Sequence, residues 1–509
     1  MITRRTILKT VLKGTTALTT VAIFIGLPSW SRASSRMTNR LRIPEQLKGT
    51  LKDGVRHYDL TMQKGSMPFL TGLTTPTLGI NGDFLGPLLR LRDGENVALN
   101  VTNQIGESSS LHWHGMHVPA HADGGPHQLI ENEKTWQAAF KVKQKAATFW
   151  YHAHLMHKTG PQVYRGLAGM MIVEDEESRR LDLPSTYGVD DIPLILQDRA
   201  FNRDGSFRYI THMHDIMAGM RGETILVNGT ASPFMPVTTR KVRFRVLNGS
   251  NARFYQIGFS DRRRFHQIAT DGSFLRQPLE TDRVTIAPGE RVEIVADFNV
   301  AKPVKLVHIP IVPQTGGMRG GMGRGMGRGM GMMESFDSQP LDLLEVRPEK
   351  SLKAASPLPA KLTDVPNFRE QDAVKTRRFV LDMRMGPGMM RGGGSGERFT
   401  INGRAMDMNR IDETVKLGDT EIWEIKNDSP MAHPFHIHDI QFRILDRNGK
   451  QPGPEEQGLK DTVRVHGGET VRIITRFEDY ADPKLPYMYH CHILEHEDAG
   501  MMGQFVVTA

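Results

Sequence analysis

The chain has 509 residues, of which 39% are hydrophobic, 24% charged and 7% aromatic, so it is too long for one hydrophobic core and too apolar to be disordered. Its 50 glycines and 29 prolines favour many short strands over long helices, which predicts an all-β fold. The formal net charge of +8 comes mostly from six basic residues in segment 1–36. The remainder is close to neutral and carries no electrostatic footprint for DNA or RNA.

Segment 1–36 has the features of an export signal. Arg4 and Arg5 precede an apolar stretch and a small-residue site ending at Ala33 that suits a signal peptidase, although the cleavage point is not fixed. The segment resembles a twin-arginine signal, which implies recognition by the twin-arginine translocation machinery and a periplasmic location without a membrane anchor. A transmembrane anchor is the alternative, but Lys13 and the short apolar stretch disfavour it.

Three later segments share one pattern, in which apolar and polar residues alternate up to an asparagine. They are 94–103, 239–248 and 418–427, which end at Asn103, Asn248 and Asn427. Alternation with period two indicates half-buried strands, and chance similarity between amphipathic strands is the alternative. The second interval between asparagines is the longer one, and it contains two segments rich in Met, Gly and Arg, 314–333 and 383–396.

This repeat predicts three β-domains of similar plan, with insertions around the second junction. Their approximate bounds are 40–180, 190–345 and 355–509, and loop 314–333 falls in the second domain. Each domain is long enough for a two-sheet sandwich.

Histidine pairs of the form His-x-His occur five times among 20 histidines, where random placement predicts about one. The pairs are 112/114, 152/154, 212/214, 436/438 and 490/492. Residues i and i+2 of a strand point to the same face, so each pair in a strand offers two imidazoles to one place. Two pairs lie in the first predicted domain and two in the third, which predicts a cluster of eight histidines between them. The middle domain is then expected to act largely as a spacer or scaffold.

The last histidine pair encloses the single cysteine of the chain, Cys491. A lone cysteine excludes an intramolecular disulfide, and in an oxidising compartment its thiol is open to oxidation unless it is buried or bound to metal. In an extended strand Cys491 faces away from its two neighbours, so it can bind one metal while they bind others. With His433, His496 and Met501 it provides the ligand set of blue copper. Zinc accepts Cys and His, but Met is not a usual zinc ligand.

Four blocks that carry these residues resemble the multicopper oxidases. They are His112-Trp113-His114-Gly115, Trp150-Tyr151-His152-Ala153-His154, His433-Pro434-Phe435-His436-Ile437-His438, and His490-Cys491-His492-Ile493-Leu494-Glu495-His496 followed by Met501. The similarity extends over essentially the whole mature chain. It implies three cupredoxin-like Greek-key β-sandwich domains and four copper ions, of which one is type 1, one is type 2 and two form a type 3 pair.

The resemblance also implies a role for each ligand. Type 1 copper is assigned to His433, Cys491 and His496 with axial Met501, type 2 copper to His112 and His436, and the type 3 pair to His114, His152, His154, His438, His490 and His492. The implied activity couples one-electron oxidation of a substrate to four-electron reduction of dioxygen to water, with Cys491 as the point where the electron is received. Asp123 and Glu497 match positions that deliver protons in relatives. The alternative role for both is a hydrogen bond that fixes a histidine tautomer.

The methionine-rich loop bears on the substrate. Met318, Met322, Met326 and Met330 recur at four-residue spacing in this loop, and thioether sulfur suits Cu(I). Bacterial cuprous oxidases of the copper-tolerance kind carry similar insertions, so the resemblance implies oxidation of Cu(I) to Cu(II) and a role in copper tolerance. Met431 matches a family position near the type 1 site where substrate copper binds.

Two features weaken the Cu(I) interpretation. The position four before His433, an Asp in relatives, is Ser429, and Arg319, Arg324 and Arg328 place positive charge among the thioethers of the loop. A disordered linker is the alternative interpretation of the loop. For the whole chain, a laccase-like oxidase of phenols or aromatic amines is the second hypothesis. A non-enzymatic copper-binding or cell-division scaffold is the third, and the complete ligand set argues against it.

A further candidate for an accessory copper site lies in the middle domain. It consists of His212, Met213 and His214 with Met217 and Met220. These residues lie outside the blocks that resemble the family, and a surface loop is the favoured interpretation.

Overall fold

A computed structural model describes residues 37–311, 338–383 and 398–509. Within these ranges β-strands make up most of the regular structure and form six sheets, which confirms the predicted all-β class. The described helices are short, and none of them is long and apolar enough to cross a membrane. The predicted export signal, loop 314–333 and the second Met-rich segment beyond Met383 lie outside the described residues.

The first part of the chain builds two sheets around one core. Its strands are β1 (Asn39–Arg40), β2 (Gln46–Leu47), β3 (Thr50–Lys52), β4 (Val55–Met67), β5 (Thr75–Ile80), β6 (Leu88–Arg92), β7 (Asn96–Gln104), β8 (Leu111–His112), β9 (Thr135–Lys141), β10 (Ala147–Ala153) and β11 (Ala168–Glu174). One sheet has the order β2-β6-β11-β10-β8, and the other has the order β3-β4-β7-β9 with β5 paired to β4. Leu89 and Trp150 of the first sheet share a buried core with Leu99 and Val101 of the second.

The middle part repeats this plan. Its strands are β12 (Asp191–Phe201), β13 (Phe207–Arg208), β14 (Thr224–Val227), β15 (Thr230–Ala231), β16 (Pro233–Thr239), β17 (Lys241–Asn248), β18 (Tyr255–Phe259), β19 (Phe265–Ala269), β20 (Phe274–Thr281), β21 (Arg283–Ile286), β22 (Arg291–Asp297), β23 (Val304–His308) and β24 (Leu341–Lys353). One sheet has the order β15-β14-β12-β17-β22-β19-β20 with β13 on β12, and the other has the order β1-β16-β24-β23-β18-β21. Phe244 and Ile294 pack with Val237 and Leu306 in the core between them.

The last part forms the third pair of sheets. Its strands are β25 (Ala373–Met383), β26 (Phe399–Ile401), β27 (Glu413–Lys416), β28 (Thr420–Asn427), β29 (His433–Ile437), β30 (Phe442–Arg447), β31 (Thr462–Val465), β32 (Thr470–Arg476), β33 (Asp482–Cys491) and β34 (Met502–Thr508). One sheet has the order β26-β25-β28-β32-β30, and the other has the order β27-β34-β33-β29-β31. Ile425 and Ile473 pack with Phe435 and Tyr489 in its core.

Short helices lie between the strands. They are α1 (Thr159–Arg165), α2 (Glu176–Arg180), α3 (Met213–Ala218) and α4 (Leu494–Asp498), together with 3-10 turns at Ala120–Ala122, Glu370–Asp372 and Pro454–Glu456. Helix α4 follows closely on β33 and therefore places His496 and Glu497 near the end of that strand.

The three strands that carry the sequence repeat occupy equivalent positions. Each pairs in parallel with one neighbour and antiparallel with the other, as β7 does with β4 and β9, β17 with β12 and β22, and β28 with β25 and β32. The sequence repeat is therefore also a repeat of topology.

Each repeated strand ends in a buried asparagine that makes the same three hydrogen bonds. Asn103 Nδ2 donates to the Glu107 and Ile130 carbonyls, at 2.8 Å each. Asn103 Oδ1 accepts from the Ile105 amide at 3.1 Å. The same bonds join Asn248 to Arg253, Ile286 and Ser250, and Asn427 to Met431, Val465 and Ser429. The asparagine thus ties the loop after its strand to a neighbouring segment, which gives a physical reason for this residue at the end of each pattern.

Replacing Asn103 by Ala is expected to destabilise the chain by about 1–3 kcal/mol, because buried backbone groups lose their partners. Asn100 lies on the same strand, and its side chain bonds to Asp59 at the exposed surface. Asn100→Ala is therefore the matched control, with an expected effect below about 0.5 kcal/mol. Calorimetric Tm values of the two variants check this, and equal shifts would contradict it.

Candidate metal centres

Strand pairing brings the histidine pairs together in register. His112 on β8 lies opposite His152 on β10, and His436 on β29 lies opposite His490 on β33. Because alternate residues of a strand share a face, the second histidine of each pair points the same way. The result is a group of eight fully buried imidazoles, here named the histidine cluster: His112, His114, His152, His154, His436, His438, His490 and His492.

The ring nitrogens of the histidine cluster fall into sets that can hold metal ions. Within each set the ligand atoms lie within 4.8 Å of one another, and the sets are His112 with His114 and His436, His114 with His152 and His492, and His154 with His438 and His490. The predicted convergence of the four pairs is therefore present in the structure. One pair comes from each of four strands or strand ends, and the first and last parts of the chain contribute equally.

Backbone carbonyls fix which nitrogen of several rings faces inward. Nδ1 of His112, His152 and His436 lies 2.8–2.9 Å from the carbonyls of Asp123, Ala153 and Asp461 respectively. A carbonyl can only accept, so in each ring Nδ1 carries the proton and Nε2 presents a lone pair. Among the described residues, these three Nε2 atoms are buried without a hydrogen-bond partner. Burial also lowers the pKa of all three imidazoles, which keeps them neutral.

Three further nitrogens meet directly. Nε2 of His154, His438 and His490 lie 3.2–3.3 Å from one another. His438 Nδ1 lies 2.9 Å from Asp123 Oδ2, and His490 Nδ1 lies 3.1 Å from the Cys491 carbonyl. These acceptors hold the protons of His438 and His490 on Nδ1, so the Nε2 lone pairs of these two rings face each other. Such an arrangement is repulsive until a cation lies between the nitrogens, so the residues present fit a bound metal.

Two buried carboxylates contact the outer nitrogens of the cluster. Asp123 bonds to His438, and the Glu497 oxygens lie 3.2 Å from His490 Nδ1 and 3.4 Å from His154 Nδ1. Burial raises the pKa of Asp123. Burial alone would also raise the pKa of Glu497, but the adjacent imidazoles outweigh it and the pKa is lowered. Both residues therefore lie where they can orient imidazoles and exchange protons with them.

A separate site surrounds the cysteine. Cys491 Sγ lies 3.3 Å from His433 Nδ1 and 3.7 Å from His496 Nδ1, and these two nitrogens are 3.3 Å apart. All three side chains are fully buried. Burial raises the pKa of the Cys491 thiol and lowers the pKa of His433 to about 3. Met501 is buried in the same core, and its carbonyl accepts from the Cys491 amide at 3.0 Å.

Ser429 has a role that sequence analysis missed. Its Oγ lies 2.7 Å from His433 Nε2, the nitrogen that faces away from Cys491. His496 is held in the same way, since its Nε2 lies 3.2 Å from the Met217 carbonyl. The residue at the position of the expected Asp therefore orients an imidazole of the cysteine site. Its hydroxyl carries no charge with which to attract a second cation.

The accessory candidate in the middle domain is not assembled. His212, Met213 and His214 are exposed, whereas Met217 and Met220 are buried. Among the described residues, the groups of His, Cys, Asp and Glu suited to a metal include neither His212 nor His214. Met431 is partly buried and packs against the core of the last part. Met318, Met322, Met326 and Met330 lie outside the described residues.

Sequence analysis also missed Asp461 and Arg291. Asp461 Oδ1 lies 3.0 Å from His114 Nε2, and Arg291 of the middle part binds Asp461. The middle domain, expected to act largely as a spacer or scaffold, therefore also contributes Arg291 to the surroundings of His114. Neither residue belongs to a spacing pattern, and their partners are far away in sequence, so no local signal marked them.

Comparisons with known proteins agree with this geometry. Family models described as multicopper oxidase match residues 61–178, 191–304 and 382–509. The "Multicopper oxidase mco" of Staphylococcus haemolyticus is 34% identical over 482 residues, which cover 93% of this chain and 94% of that protein. The "Cell division protein FtsP" of Photorhabdus laumondii is 34% identical over 488 residues, which cover 96% of each. The solved structure of the laccase-like multi-copper oxidase CueO from the lignin-degrading bacterium Ochrobactrum sp. has a TM-score of 0.80 at 37% identity, covering 92% of this chain and 100% of that one.

The chain belongs to the multicopper oxidase family. Its three sandwiches are cupredoxin-like, as predicted, and the family consists of oxidoreductases that use copper.

Removal of bound copper by a chelator is expected to lower the Tm by several degrees. A ligand held at 1,000 times its Kd stabilises the native state by about 4 kcal/mol, and its loss leaves the facing lone pairs unshielded. Calorimetry before chelation, after chelation and after copper is restored checks this. A variant with His212→Ala and His214→Ala is the control, since the exposed pair should leave the shift unchanged. Equal Tm values for the loaded and stripped wild-type protein would contradict the prediction.

Proposed function

We propose that the chain couples one-electron oxidation of a reducing substrate, foremost Cu(I), to four-electron reduction of dioxygen to water. One observation carries this proposal. Cys491 belongs to one metal-suited set, while His490 and His492 on either side of it belong to two others. The peptide backbone thus joins the cysteine site to the histidine cluster through a few covalent bonds.

The ligand roles implied by the family fit these sets. His433, Cys491 and His496 would hold type 1 copper together with Met501, and His112 and His436 would hold type 2 copper. The type 3 pair would be held by His114, His152 and His492 on one side and by His154, His438 and His490 on the other. Copper, when bound, supplies the one-electron chemistry that links substrate oxidation to oxygen reduction.

In this mechanism the residues around the metal centres orient the imidazoles, exclude water and supply protons. Carbonyls, carboxylates and a hydroxyl hold the buried outer nitrogens of the assigned histidines other than His154 and His492. The inner nitrogens of the held rings are therefore already aimed before an ion binds. Asp123 Oδ1 has no hydrogen-bond partner among the described residues, which makes it the atom able to hold a proton near His112 and His438. Glu497 would serve His154 and His490 on the other side. The same contacts also suit the alternative role of fixing imidazole tautomers.

The methionines of loop 314–333 and Met431 are the basis for proposing Cu(I) as the substrate. We propose that an exported, periplasmic form of the enzyme thereby contributes to copper tolerance. A laccase-like oxidation of phenols or aromatic amines is the second candidate, supported by the oxidase activity towards lignin model compounds stated for the Ochrobactrum relative. A cell-division scaffold is the third candidate, supported by the FtsP relatives.

Replacing Cys491 by Ser is expected to abolish the visible thiolate-to-copper absorption and to reduce oxidase turnover by at least about 1,000-fold, which corresponds to about 4 kcal/mol. The protein should remain folded, since the change is small and buried. Absorption spectra and oxygen-consumption rates measure the two effects. Retention of either the colour or the activity would contradict the proposed electron path.

Deleting residues 314–333 is expected to reduce kcat/KM for Cu(I) by about 10-fold while leaving phenol oxidation within about twofold, because only Cu(I) uses thioether ligands. Substitution of Arg319, Arg324 and Arg328 by Lys keeps the methionines and is the matched control. Unchanged Cu(I) turnover after the deletion would contradict the role of the loop. Failure of the copper-loaded chain to consume oxygen with either substrate would favour the scaffold.

A further inference from the structure

Arg291 of the middle part is completely buried and uses every N–H of its guanidinium. It lies at the start of β22. Its acceptors are the carbonyls of Thr148 at 2.9 Å, Gly289 at 3.0 Å and Asp271 at 2.9 Å, and the two carboxylate oxygens of Asp461 at 2.8 and 2.5 Å. This bidentate pairing of guanidinium and carboxylate fixes the plane of the Asp461 carboxylate. One side chain therefore connects the first, middle and last parts of the chain.

The same carboxylate contacts a histidine of the cluster. Asp461 Oδ1 lies 3.0 Å from His114 Nε2. The Thr462 hydroxyl donates to Asp461 Oδ1 at 2.9 Å and lies 3.2 Å from His114 Nε2. A carboxylate that is already held by an arginine only accepts, so the proton of His114 resides on Nε2. Nδ1 is then left as a lone pair, and among the described residues it has no hydrogen-bond partner.

His114 is thus turned the opposite way from its neighbours. His112, His152 and His436 donate through Nδ1 and aim Nε2 inward, whereas His114 donates through Nε2 and aims Nδ1 inward. His114 belongs to two of the metal-suited sets, one with His112 and His436 and one with His152 and His492. With the other tautomer, Nδ1 would carry a proton and could not bind a cation.

The glycine after His114 makes room for this arrangement. Gly115 has a φ of +83°, and a Cβ at this position would collide with Asp461 Oδ2 and Arg291 Nη2. The backbone of the first part therefore closes directly onto the ion pair. Any larger residue would displace either the pair or His114.

We propose that Arg291 and Asp461 are positioning residues for the metal centre: Arg291 holds Asp461, and Asp461 selects the His114 tautomer that offers Nδ1 to the ion. This inference rests on the proposed binding of copper by the histidine cluster. It gives the middle domain a direct part in assembling a centre whose metal-suited histidines all lie on the other two.

The experiment compares wild type with Asp461→Asn and Arg291→Lys. The Asn side chain turns an N–H donor toward either His114 or Arg291. Lys keeps the positive charge but lacks the two parallel N–H donors that bind both oxygens of Asp461. Arg377→Lys is the matched control, because Arg377 is a buried arginine bound to both oxygens of Glu421, away from the histidines. The readouts are the tautomer of His114 by ¹⁵N-histidine NMR in the metal-free protein, copper per chain, and the thiolate-to-copper absorption.

In wild type and in the control we expect His114 protonated on Nε2 and full copper content. In Asp461→Asn we expect loss of that tautomer and of at least one copper ion per chain, with the thiolate absorption retained, and in Arg291→Lys a smaller loss. A wild-type His114 protonated on Nδ1 would overturn the proposal without need of any variant. An Asp461→Asn protein with the wild-type tautomer and full copper would overturn it as well. Absence of copper from the wild-type cluster would instead refute the proposed function, while the NMR result would still test the hydrogen bond to His114.

Discussion

Lone pairs of buried, neutral imidazoles face one another in the histidine cluster, and the rest of the structure depends on this interaction. His154, His438 and His490 bring three Nε2 atoms within 3.2–3.3 Å, and the protons of His438 and His490 are held on Nδ1 by Asp123 and by the Cys491 carbonyl. Desolvation prevents protonation from relieving the repulsion. A cation bound between these nitrogens stabilises this geometry, and the three imidazoles form a set suited to a metal ion.

The surrounding protein keeps that geometry in place. Antiparallel pairing sets the register of β8 with β10 and of β29 with β33. Carbonyl, carboxylate and hydroxyl acceptors fix the rotation of the rings other than His154 and His492. The cysteine site follows the same rule, with Ser429 and the Met217 carbonyl holding the outer nitrogens of its two histidines. Because the contacts come from all three parts of the chain, the centres form only when the sandwiches are assembled. This dependence accounts for the buried ion pair of Arg291 and Asp461 at their junction.

Much of this arrangement follows from local sequence rules. Period-two alternation identified β7, β17 and β28, and the same periodicity placed both members of each of the four clustered His-x-His pairs on one face. The parallel partner of each repeated strand was not predictable, since it depends on strands of dissimilar sequence. Asp461, Arg291 and Ser429 were missed for a related reason: a single carboxylate, guanidinium or hydroxyl carries no periodic signal, and His114 and Asp461 are separated by 347 positions. The resemblance to a family supplied the ligand roles, but only the three-dimensional structure shows which nitrogen of each ring faces inward.

Anomalous X-ray diffraction from crystals of the copper-loaded protein, recorded on both sides of the copper absorption edge, is the most direct measurement of the central claim. We predict one peak beside Cys491, between His433 and His496, and three peaks inside the histidine cluster. A map in which copper binds only elsewhere on the protein, with the eight imidazoles still converging around empty density, would contradict it.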